Sequence, residues 1–330
     1  MSPLDALGLA PMAPDMERVE TALRGSVLSS DPFLSDVAGH LVSAGGKRLR
    51  PALALCSAYA AKGVGPVSDD AITGGVSVEL VHLGSLYHDD VIDEAETRRG
   101  VPSVNARWSN IVAILAGDYL LARASALAAS LGADVAALLA ATIGELCRGQ
   151  VLELQHLFDA DRSVEAYTSA IEGKTAALFA TACRVGGMVS AVDDPTLDAL
   201  TDFGHHLGMC FQIVDDVLDV TGTDESLGKP AGNDILEGVY TLPVIHAMSS
   251  SGPGTPADEL RELLGRKIDR EQLDAARGLV TAGDAVDQSI ETARGHAADA
   301  SAVLASTSAL DAEVVDGLTR LVDTLVTRQF

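Results

Sequence analysis

The chain has 330 residues, of which 47% are hydrophobic and 4% aromatic, and its formal net charge is −24 at pH 7. This excess of acid argues against a nucleic-acid partner, because a phosphate backbone would be repelled. The four cysteines lie far apart in apolar stretches, so neither a zinc site nor a disulfide framework is predicted; they are Cys56, Cys147, Cys183 and Cys210.

The N-terminus and the apolar runs predict a soluble, cytoplasmic protein without a transmembrane segment. The first residues, Met1 to Asp5, lack the basic start and apolar core of a signal peptide. The apolar run from Ile111 to Gly117 is interrupted by Asp118, which leaves it too short to span a bilayer.

Helical spacing of apolar residues dominates the chain, and the abundance of Ala, Leu and Val favours closely packed helices. The breaks at 63–66, 98–102 and 249–256 are too short to separate domains. We therefore predict an all-α fold with one domain over residues 1–330, in which 1–30 form an N-terminal arm and 257–330 form peripheral helices.

The first informative segment in chain order is the basic run from Gly45 to Pro51, which reads G-G-K-R-L-R-P. Glycine lets backbone N–H groups approach a ligand, and arginine forks pair with phosphate oxygens. In so acidic a chain, this run favours a phosphate site over its alternative, a solvated charge run at the start of a helix.

A long apolar helix is predicted next, and it contains His82 and the cluster Asp89-Asp90-Val91-Ile92-Asp93. Asp89 and Asp93 are four residues apart and therefore share a helix face. His82 lies two turns earlier on roughly the same face, although a role in the core is the simpler explanation for a lone histidine. We expect this helix to end at the basic pair Arg98 and Arg99, just before Gly100.

A second apolar helix repeats the D-D-x-x-D pattern as Asp215-Asp216-Val217-Leu218-Asp219. Unpaired carboxylates among apolar residues are costly to desolvate, and a bound cation offsets that cost. Pairs such as Asp193-Asp194 are explained by helix capping instead. We therefore predict two opposed carboxylate faces that hold Mg²⁺ and, through it, a diphosphate. Further candidate cations follow helical or loop breaks, at Lys174-Thr175 and at Lys229.

Taken together, these motifs resemble those of trans-isoprenyl diphosphate synthases, the polyprenyl synthetase family, over nearly the whole chain. The matching stretches are 45–51, 79–82, 85–100, 116–120, 173–175, 211–219, 228–230 and 241–243. The resemblance implies an isoprenoid synthase type bundle of antiparallel helices around a central cavity, and a homodimer. It also implies a transferase that joins isopentenyl diphosphate to an allylic diphosphate with three Mg²⁺ ions per active site.

The resemblance also assigns roles to individual residues of this chain. The metal-binding acids are Asp89, Asp90, Asp93, Asp215, Asp216 and Asp219. The contacts to isopentenyl diphosphate are Lys47, Arg50, His82 and Arg99. The contacts to the allylic diphosphate are Arg98, Lys174, Thr175, Gln212 and Lys229. Separately from the resemblance, we expect dipoles in the neighbourhood of Lys174, Thr175 and Gln212 to steady the carbocation.

Two features bear on the substrate and the product. Many relatives carry a basic residue one or two positions before Thr-Leu-Pro, where this chain has Val239 and Tyr240, so the tightness of allylic binding is affected rather than the reaction. The small residues Gly84 and Ser85, followed by Val81, leave a channel open below Asp89. That predicts a product longer than farnesyl, such as a quinone side chain, unless another helix near Leu120 to Leu127 closes the channel.

Four other interpretations remain open from the sequence. One is a geranylgeranyl or shorter-chain synthase. A second is a class I terpene cyclase, against which the basic run 47–50 argues, since a cyclase needs no site for isopentenyl diphosphate. The others are a non-catalytic subunit, which generally loses an acid cluster, and a purely structural helical bundle.

Overall fold

The computed structural model describes residues 3–223, 231–249 and 256–327, and these are helical apart from one small hairpin and short connections. The predicted all-α fold is thus confirmed. The helices up to the middle of the chain are α1 Pro3–Leu7, α2 Met12–Ser26, α3 Pro32–Ser43, α4 Leu49–Lys62, α5 Asp69–Ile92, α6 Val104–Arg107, α7 Asn110–Ser130 and α8 Ala133–Gln155.

The second half of the chain continues in the same manner, with one π-helical turn at Glu172–Ala176. Its α-helices are α9 Val164–Ile171, α10 Ala177–Met188, α11 Asp194–Thr221, α12 Asn233–Glu237, α13 Leu242–Ser249, α14 Pro256–Leu263, α15 Arg270–Thr281, α16 Ala285–Ser306 and α17 Ala312–Val326. Short polar side chains start several of these helices. Ser68 caps α5 and Ser163 caps α9, each by accepting a hydrogen bond from a backbone N–H of the first turn.

The chain forms two compact units. Unit 1 comprises Met1–Gly144, Leu178–Gly204 and Ser301–Leu321, and unit 2 comprises Glu145–Ala177, His205–Ala300 and Val322–Phe330. The prediction of a single domain with an N-terminal arm and peripheral C-terminal helices stays a prediction.

Unit 1 is built around α5, which is buried over most of its length and packs most extensively against α7 and α4. Glycines permit the close approach of the helices. A Cβ at Gly84 would lie 3.1 Å from the carbonyl oxygen of Gly117, and one at Gly186 would lie 2.0 Å from that of Ala54. Because an interior this dense has no spare volume, small residues set how near these helices come.

Unit 2 has an apolar core in which the fully buried Tyr240 packs with residues from the end of α11 and from α12 to α15. Examples are Val220, Ile235, Leu260 and Leu273. The Tyr240 hydroxyl accepts a hydrogen bond of 2.7 Å from the backbone N–H of Gly265, which satisfies its polar end inside the core. This core supports the last turns of α11.

The predicted end of the helix that carries the first acidic cluster is wrong. Helix α5 ends at Ile92, and the backbone N–H of Ala95 donates to the carbonyl of Asp90 at 2.9 Å across a left-handed Glu94. This is a Schellman-type end formed without glycine. Thr97–Arg98 then pairs with Val101–Pro102 in an antiparallel hairpin. Its turn residues, Arg99 and Gly100, both have positive φ, as a type I′ turn requires.

The expectation that no segment is long and apolar enough to span a bilayer is also wrong. Both Asn110–Ser130 and Ala133–Gln155 meet that criterion by length and composition. In the most apolar 18-residue stretch of each helix, 33% and 22% of the residues are buried. A single Asp118 does not lower the mean hydropathy of a helix of this length enough to disqualify it. One or two such helices are weak evidence for a membrane protein, and the cytoplasmic location stays a prediction.

Candidate active site

In unit 1, cationic side chains gather around one end of α5. Burial lowers the pKa of His82 well below its ordinary value, and the positive charges of Arg50 and Arg99 lower it further. The structure therefore brings together three of the four residues predicted to contact isopentenyl diphosphate, with the imidazole neutral near pH 7. The fourth, Lys47, is exposed and lies three residues before Arg50 in the chain.

The arginine between these cations, Arg48, is a structural residue. It is 5% exposed, its Nε donates to Glu20 at 2.6 Å, and its Nη1 donates to Glu79 at 3.1 Å. Its Nη2 also donates to the carbonyl of Val42 at 2.9 Å. Two carboxylates thus neutralise the charge of Arg48. The other two cations of this run, Lys47 and Arg50, take no part in that ion pairing.

One glycine of the basic run, Gly46, lies against Arg99. Gly46 has φ +149°, and a Cβ there would lie 2.7 Å from Nη1 of Arg99. The Arg99 guanidinium also donates to the carbonyls of Gly45 and Leu41. The missing side chain at Gly46 therefore makes room for an arginine, whose position the two carbonyls fix.

The first acidic cluster lies at the C-terminal end of α5. Asp89 is in its last turn, and the backbone N–H of Asp93, the C-cap residue, donates to the Asp89 carbonyl at 2.8 Å. Asp90 is fully buried, and one of its carboxylate oxygens accepts a 2.6 Å bond from Nε of Arg98. Burial raises the pKa of Asp90, and the charge of Arg98 partly offsets that rise. Arg98, predicted to contact the allylic diphosphate, thus already pairs with an acid.

The expectation of open space beside Gly84 is wrong. A Cβ on Gly84 would lie 3.1 Å from the Gly117 carbonyl and 3.2 Å from Leu121, both on α7. Ser85 and Val81, in contrast, are four and eight residues before Asp89 and share its face. The roles of Gly84, Ser85 and Val81 in product length stay predictions, as does the alternative that a helix near Leu120 to Leu127 closes the channel.

In unit 2, the second cluster lies near the end of α11, and neutral donors hold its middle acid, Asp216. The hydroxyl of Tyr167 donates to Oδ2 of Asp216 at 2.6 Å, and the amide of Gln212 donates to Oδ1 at 2.8 Å. The Gln212 oxygen accepts from Thr175 at 2.7 Å. Thr175 and Gln212, both predicted to contact substrate, therefore form one chain of hydrogen bonds that ends on an acid of the cluster.

Asp216 is a buried acid that accepts hydrogen bonds from neutral donors and from no cationic side chain among the described residues. Its exposure is 3%, and burial raises its pKa to about 7, helped by the negative charges of Asp215 and Glu153 and opposed by the two hydrogen bonds. Asp215 is exposed, whereas Asp219 is buried and accepts a 3.3 Å bond from the backbone N–H of Asp234. The spacing places Asp215 and Asp219 on one helix face, and among the described residues the first turn of α12 lies against Asp219.

The predicted cation Lys174 lies in the π-helical turn Glu172–Ala176, a geometry often found at functional sites. This turn packs closely against α8 at Gly149 and Gly173. A Cβ on Gly149 would lie 2.4 Å from the backbone nitrogen of Lys174. The Lys174 ammonium pairs with Glu153 at 2.6 Å. Lys229, the other predicted cation, lies outside the described residues.

Sequence reasoning missed three residues that shape this cluster: Tyr167, Glu153 and Arg162. Arg162 is 3% exposed, its Nη1 donates to the carbonyl of Tyr240 at 3.0 Å, and its guanidinium carbon lies 5.6 Å from the centre of the Tyr167 ring. Many relatives carry a basic residue at position 239 or 240, where this chain has Val239 and Tyr240. In this chain the basic side chain of Arg162 lies beside Tyr240 instead. A lone tyrosine or arginine in a helical or turn segment carries no motif that would have identified it.

With this geometry in place, three similarities identify the family. The model described as Polyprenyl synthetase matches residues 31–280. The nonaprenyl diphosphate synthase of Mycobacterium tuberculosis is 40% identical over 300 residues, which cover 88% of each chain. Component 2 of the heptaprenyl diphosphate synthase of Geobacillus stearothermophilus is 40% identical over 77% of this chain and 81% of that protein.

A solved structure agrees with both sequence comparisons. The polyprenyl synthase from Caulobacter crescentus, complexed with calcium and isoprenyl diphosphate, is 34% identical, with a TM-score of 0.91 over 99% of this chain and 98% of that chain. The fold and its two aspartate clusters define an all-α prenyltransferase that elongates prenyl chains. The chain belongs to the polyprenyl synthetase family. The resemblance drawn from the motifs is confirmed.

Proposed function

We propose that this enzyme uses Mg²⁺ to condense isopentenyl diphosphate with an allylic diphosphate, such as geranyl, farnesyl or geranylgeranyl diphosphate, into an all-trans polyprenyl diphosphate. One observation carries the proposal. Asp216 is a buried acid whose oxygens are held only by neutral donors among the described residues. A carboxylate in that setting is stable when a cation compensates its charge.

The donor set of both clusters fits a divalent cation. Buried carboxylate oxygens are hard ligands of the kind that Mg²⁺ prefers, and Oδ2 of Asp90 is buried without a hydrogen-bond partner among the described residues. The proposed ligands of three ions are Asp89, Asp90, Asp93, Asp215, Asp216 and Asp219. When bound, Mg²⁺ would neutralise charge that builds on the departing diphosphate. The relative from Caulobacter crescentus is complexed with calcium, also a divalent ion.

The basic cluster of unit 1 supports the second half of the proposal, the binding of isopentenyl diphosphate. Arg50 lies 4.7 Å over the ring of Phe179, and Arg99 is held by backbone carbonyls, so both guanidinium groups are placed before substrate arrives. Fixed forks of this kind bind phosphate oxygens bidentately. A neutral His82 beside them can donate one further hydrogen bond.

In the proposed reaction, the allylic C–O bond breaks to give an allylic carbocation and diphosphate. The alkene of isopentenyl diphosphate attacks that cation and forms the new C–C bond, and a proton is then lost, for which the released diphosphate is the proposed acceptor. Thr175 and Gln212 orient Asp216 throughout these steps, and the dipoles of these two side chains steady positive charge. Exclusion of water protects the cation from being quenched.

The proposed product is longer than farnesyl and serves as a quinone side chain. Relatives that make nonaprenyl, octaprenyl and heptaprenyl diphosphates support this range. A solved geranylgeranyl pyrophosphate synthase from Corynebacterium glutamicum, 39% identical with a TM-score of 0.83, keeps the shorter product as the alternative.

We also propose a homodimer. Helix α7 presents Ile111, Ile114 and Leu115 on one face, and Ile111 and Leu115 are 70% and 60% exposed. An apolar face of this kind in unit 1 is typical of a subunit interface. The alternative is a two-component enzyme, because one relative is named as component 2 of a heptaprenyl diphosphate synthase.

One experiment tests the activity, the product and the assembly together. The purified chain alone is incubated with Mg²⁺, isopentenyl diphosphate and each allylic primer in turn, and the products are sized. Elongation by the chain alone, with a dimeric mass in solution, is the expected result. An inactive chain that becomes active only with a second component would overturn the homodimer. Equal activity after chelation of all divalent metal would overturn the metal proposal.

A further inference from the structure

Two histidines and an aspartate meet on unit 2, apart from every motif of the synthase. His206 lies on α11, and His296 and Asp299 lie three residues apart on α16, so the latter two share a helix face. His206 and His296 are partly buried, while the Asp299 side chain is 63% exposed. The three groups therefore form a small cluster that opens to solvent.

The distances within this cluster suit a metal ion. The Nδ1 atoms of His206 and His296 are 3.1 Å apart, and Nδ1 of His206 is 4.0 Å from Oδ2 of Asp299. All three ligand atoms lie within 4.8 Å of one another. Ligand atoms bound at about 2.0–2.1 Å in a tetrahedral zinc site are separated by roughly 3.3 Å. The two nitrogens are already close to that separation, and the exposed Asp299 side chain can move inward to complete the set.

We propose that this cluster binds a divalent transition-metal ion of the zinc class. Two imidazole nitrogens and one carboxylate suit zinc, copper or nickel, whereas Mg²⁺ favours oxygen ligands, so this site is chemically distinct from the aspartate clusters. Three protein ligands leave the fourth position for water. The ring of His205 packs edge-on against that of His206, with 5.3 Å between ring centres, and restrains its orientation.

The ion would link α11 to α16. Asp215 lies nine residues after His206 on the same helix, which is about 13 Å along its axis. A metal link between the two helices therefore strengthens the scaffold of the second acidic cluster without touching its ligands. The competing explanation for the short distance between the two Nδ1 atoms is a hydrogen bond in which one Nδ1–H donates to the other ring. That hydrogen bond would not involve Asp299.

The test is a zinc titration of the full chain by calorimetry, with Mg²⁺ kept in excess to occupy oxygen-rich sites. The variant is His296→Gln, which keeps a hydrogen-bonding side chain but removes an imidazole ligand. The matched control is His156→Gln, because His156 pairs with Asp159 at 2.7 Å in the same unit. Circular dichroism and the melting temperature without zinc establish that each variant is folded.

We expect one zinc ion per chain, a melting temperature that rises with zinc, and both effects kept in His156→Gln. In His296→Gln the affinity should fall by more than the roughly 10- to 100-fold loss that follows removal of an outer hydrogen-bond partner of a ligand. Cobalt in place of zinc should give a visible absorption band in the unaltered chain and not in His296→Gln. Equal zinc binding by His296→Gln and the unaltered chain, or no binding by either, would overturn the site. Because Mg²⁺-dependent prenyl transfer is read separately, either result leaves the proposed synthase activity intact.

Discussion

The two aspartate clusters have almost the same sequence, D-D-V-I-D and D-D-V-L-D, but different electrostatic surroundings. In unit 1, the second aspartate, Asp90, pairs with the cationic Arg98 at 2.6 Å. In unit 2, its counterpart Asp216 is held by a phenol and an amide, and the nearby Lys174 pairs with Glu153 instead. The motif therefore fixes which acids are present, and their neighbours fix how much charge a bound cation must compensate.

The largest expected effect tests what the two clusters share. Asp89→Ala and Asp215→Ala should each reduce turnover by about 100-fold or more, because each loses a proposed ligand for the ion that stabilises the leaving group. Steady-state kinetics with isopentenyl diphosphate and farnesyl diphosphate measure the loss, and circular dichroism checks the helices. Asp194→Ala is the control, since that exposed acid belongs to a pair at a helix start. Full activity in both cluster variants would refute the metal assignment.

A second change makes the first cluster resemble the second. One turn before Asp89 lies Ser85, whereas one turn before Asp215 lies Phe211. Ser85→Phe adds an aromatic ring on the Asp89 face and should shorten the product by one or more isoprene units, while Ser85→Ala should not. Sizing of products by mass spectrometry decides the outcome. An unchanged product in Ser85→Phe would show that the chain does not grow along this face of α5.

A third change removes the cation that distinguishes the clusters. Arg98→Ala leaves Asp90 buried without its partner, which should lower the free energy of unfolding by about 2 kcal/mol, a figure reduced from that of a fully buried pair because Arg98 is partly exposed. Mg²⁺ should restore part of the loss. Urea denaturation with and without Mg²⁺ measures both effects. Arg148→Ala, which breaks an exposed pair with Glu145, is the control and should have little effect. An equally small effect of Arg98→Ala would contradict the role of that ion pair.

The smallest effect is expected from a neutral donor of the second cluster. Tyr167→Phe removes one hydrogen bond to Asp216 and should lower the free energy of unfolding by about 1 kcal/mol. It should also shift the Mg²⁺ concentration that gives half-maximal activity by a few-fold, because Asp216 is no longer held in place. Thr168→Val is the control, because the neighbouring Thr168 hydroxyl donates to the backbone carbonyl of Val164 and not to the cluster. A Mg²⁺ dependence identical to that of the unaltered chain would show that Tyr167 does not position Asp216.

Much of the fold and the site could be predicted because it depends on local patterns. Apolar spacing gave the helices, and the spacing of Asp89 and Asp93 placed them one turn apart, as observed. The end of α5 was misplaced because a non-glycine residue, Glu94, takes the left-handed conformation that usually marks glycine. Gly84 was misassigned because a small residue predicts free space and close packing equally well, and only the position of α7 distinguishes them.

The sequence by itself determined the all-α class, the two D-D-x-x-D motifs and the family, since these depend on residue identity and spacing along the chain. Tertiary structure decided which charges are neutralised. Glu20 and Glu79 bind Arg48, and Tyr167 binds Asp216, through contacts between residues far apart in the chain. Asp90 binds Arg98 only because the chain turns back after α5. Electrostatic energy depends on distance and burial in three dimensions, and neither is written in the order of the residues.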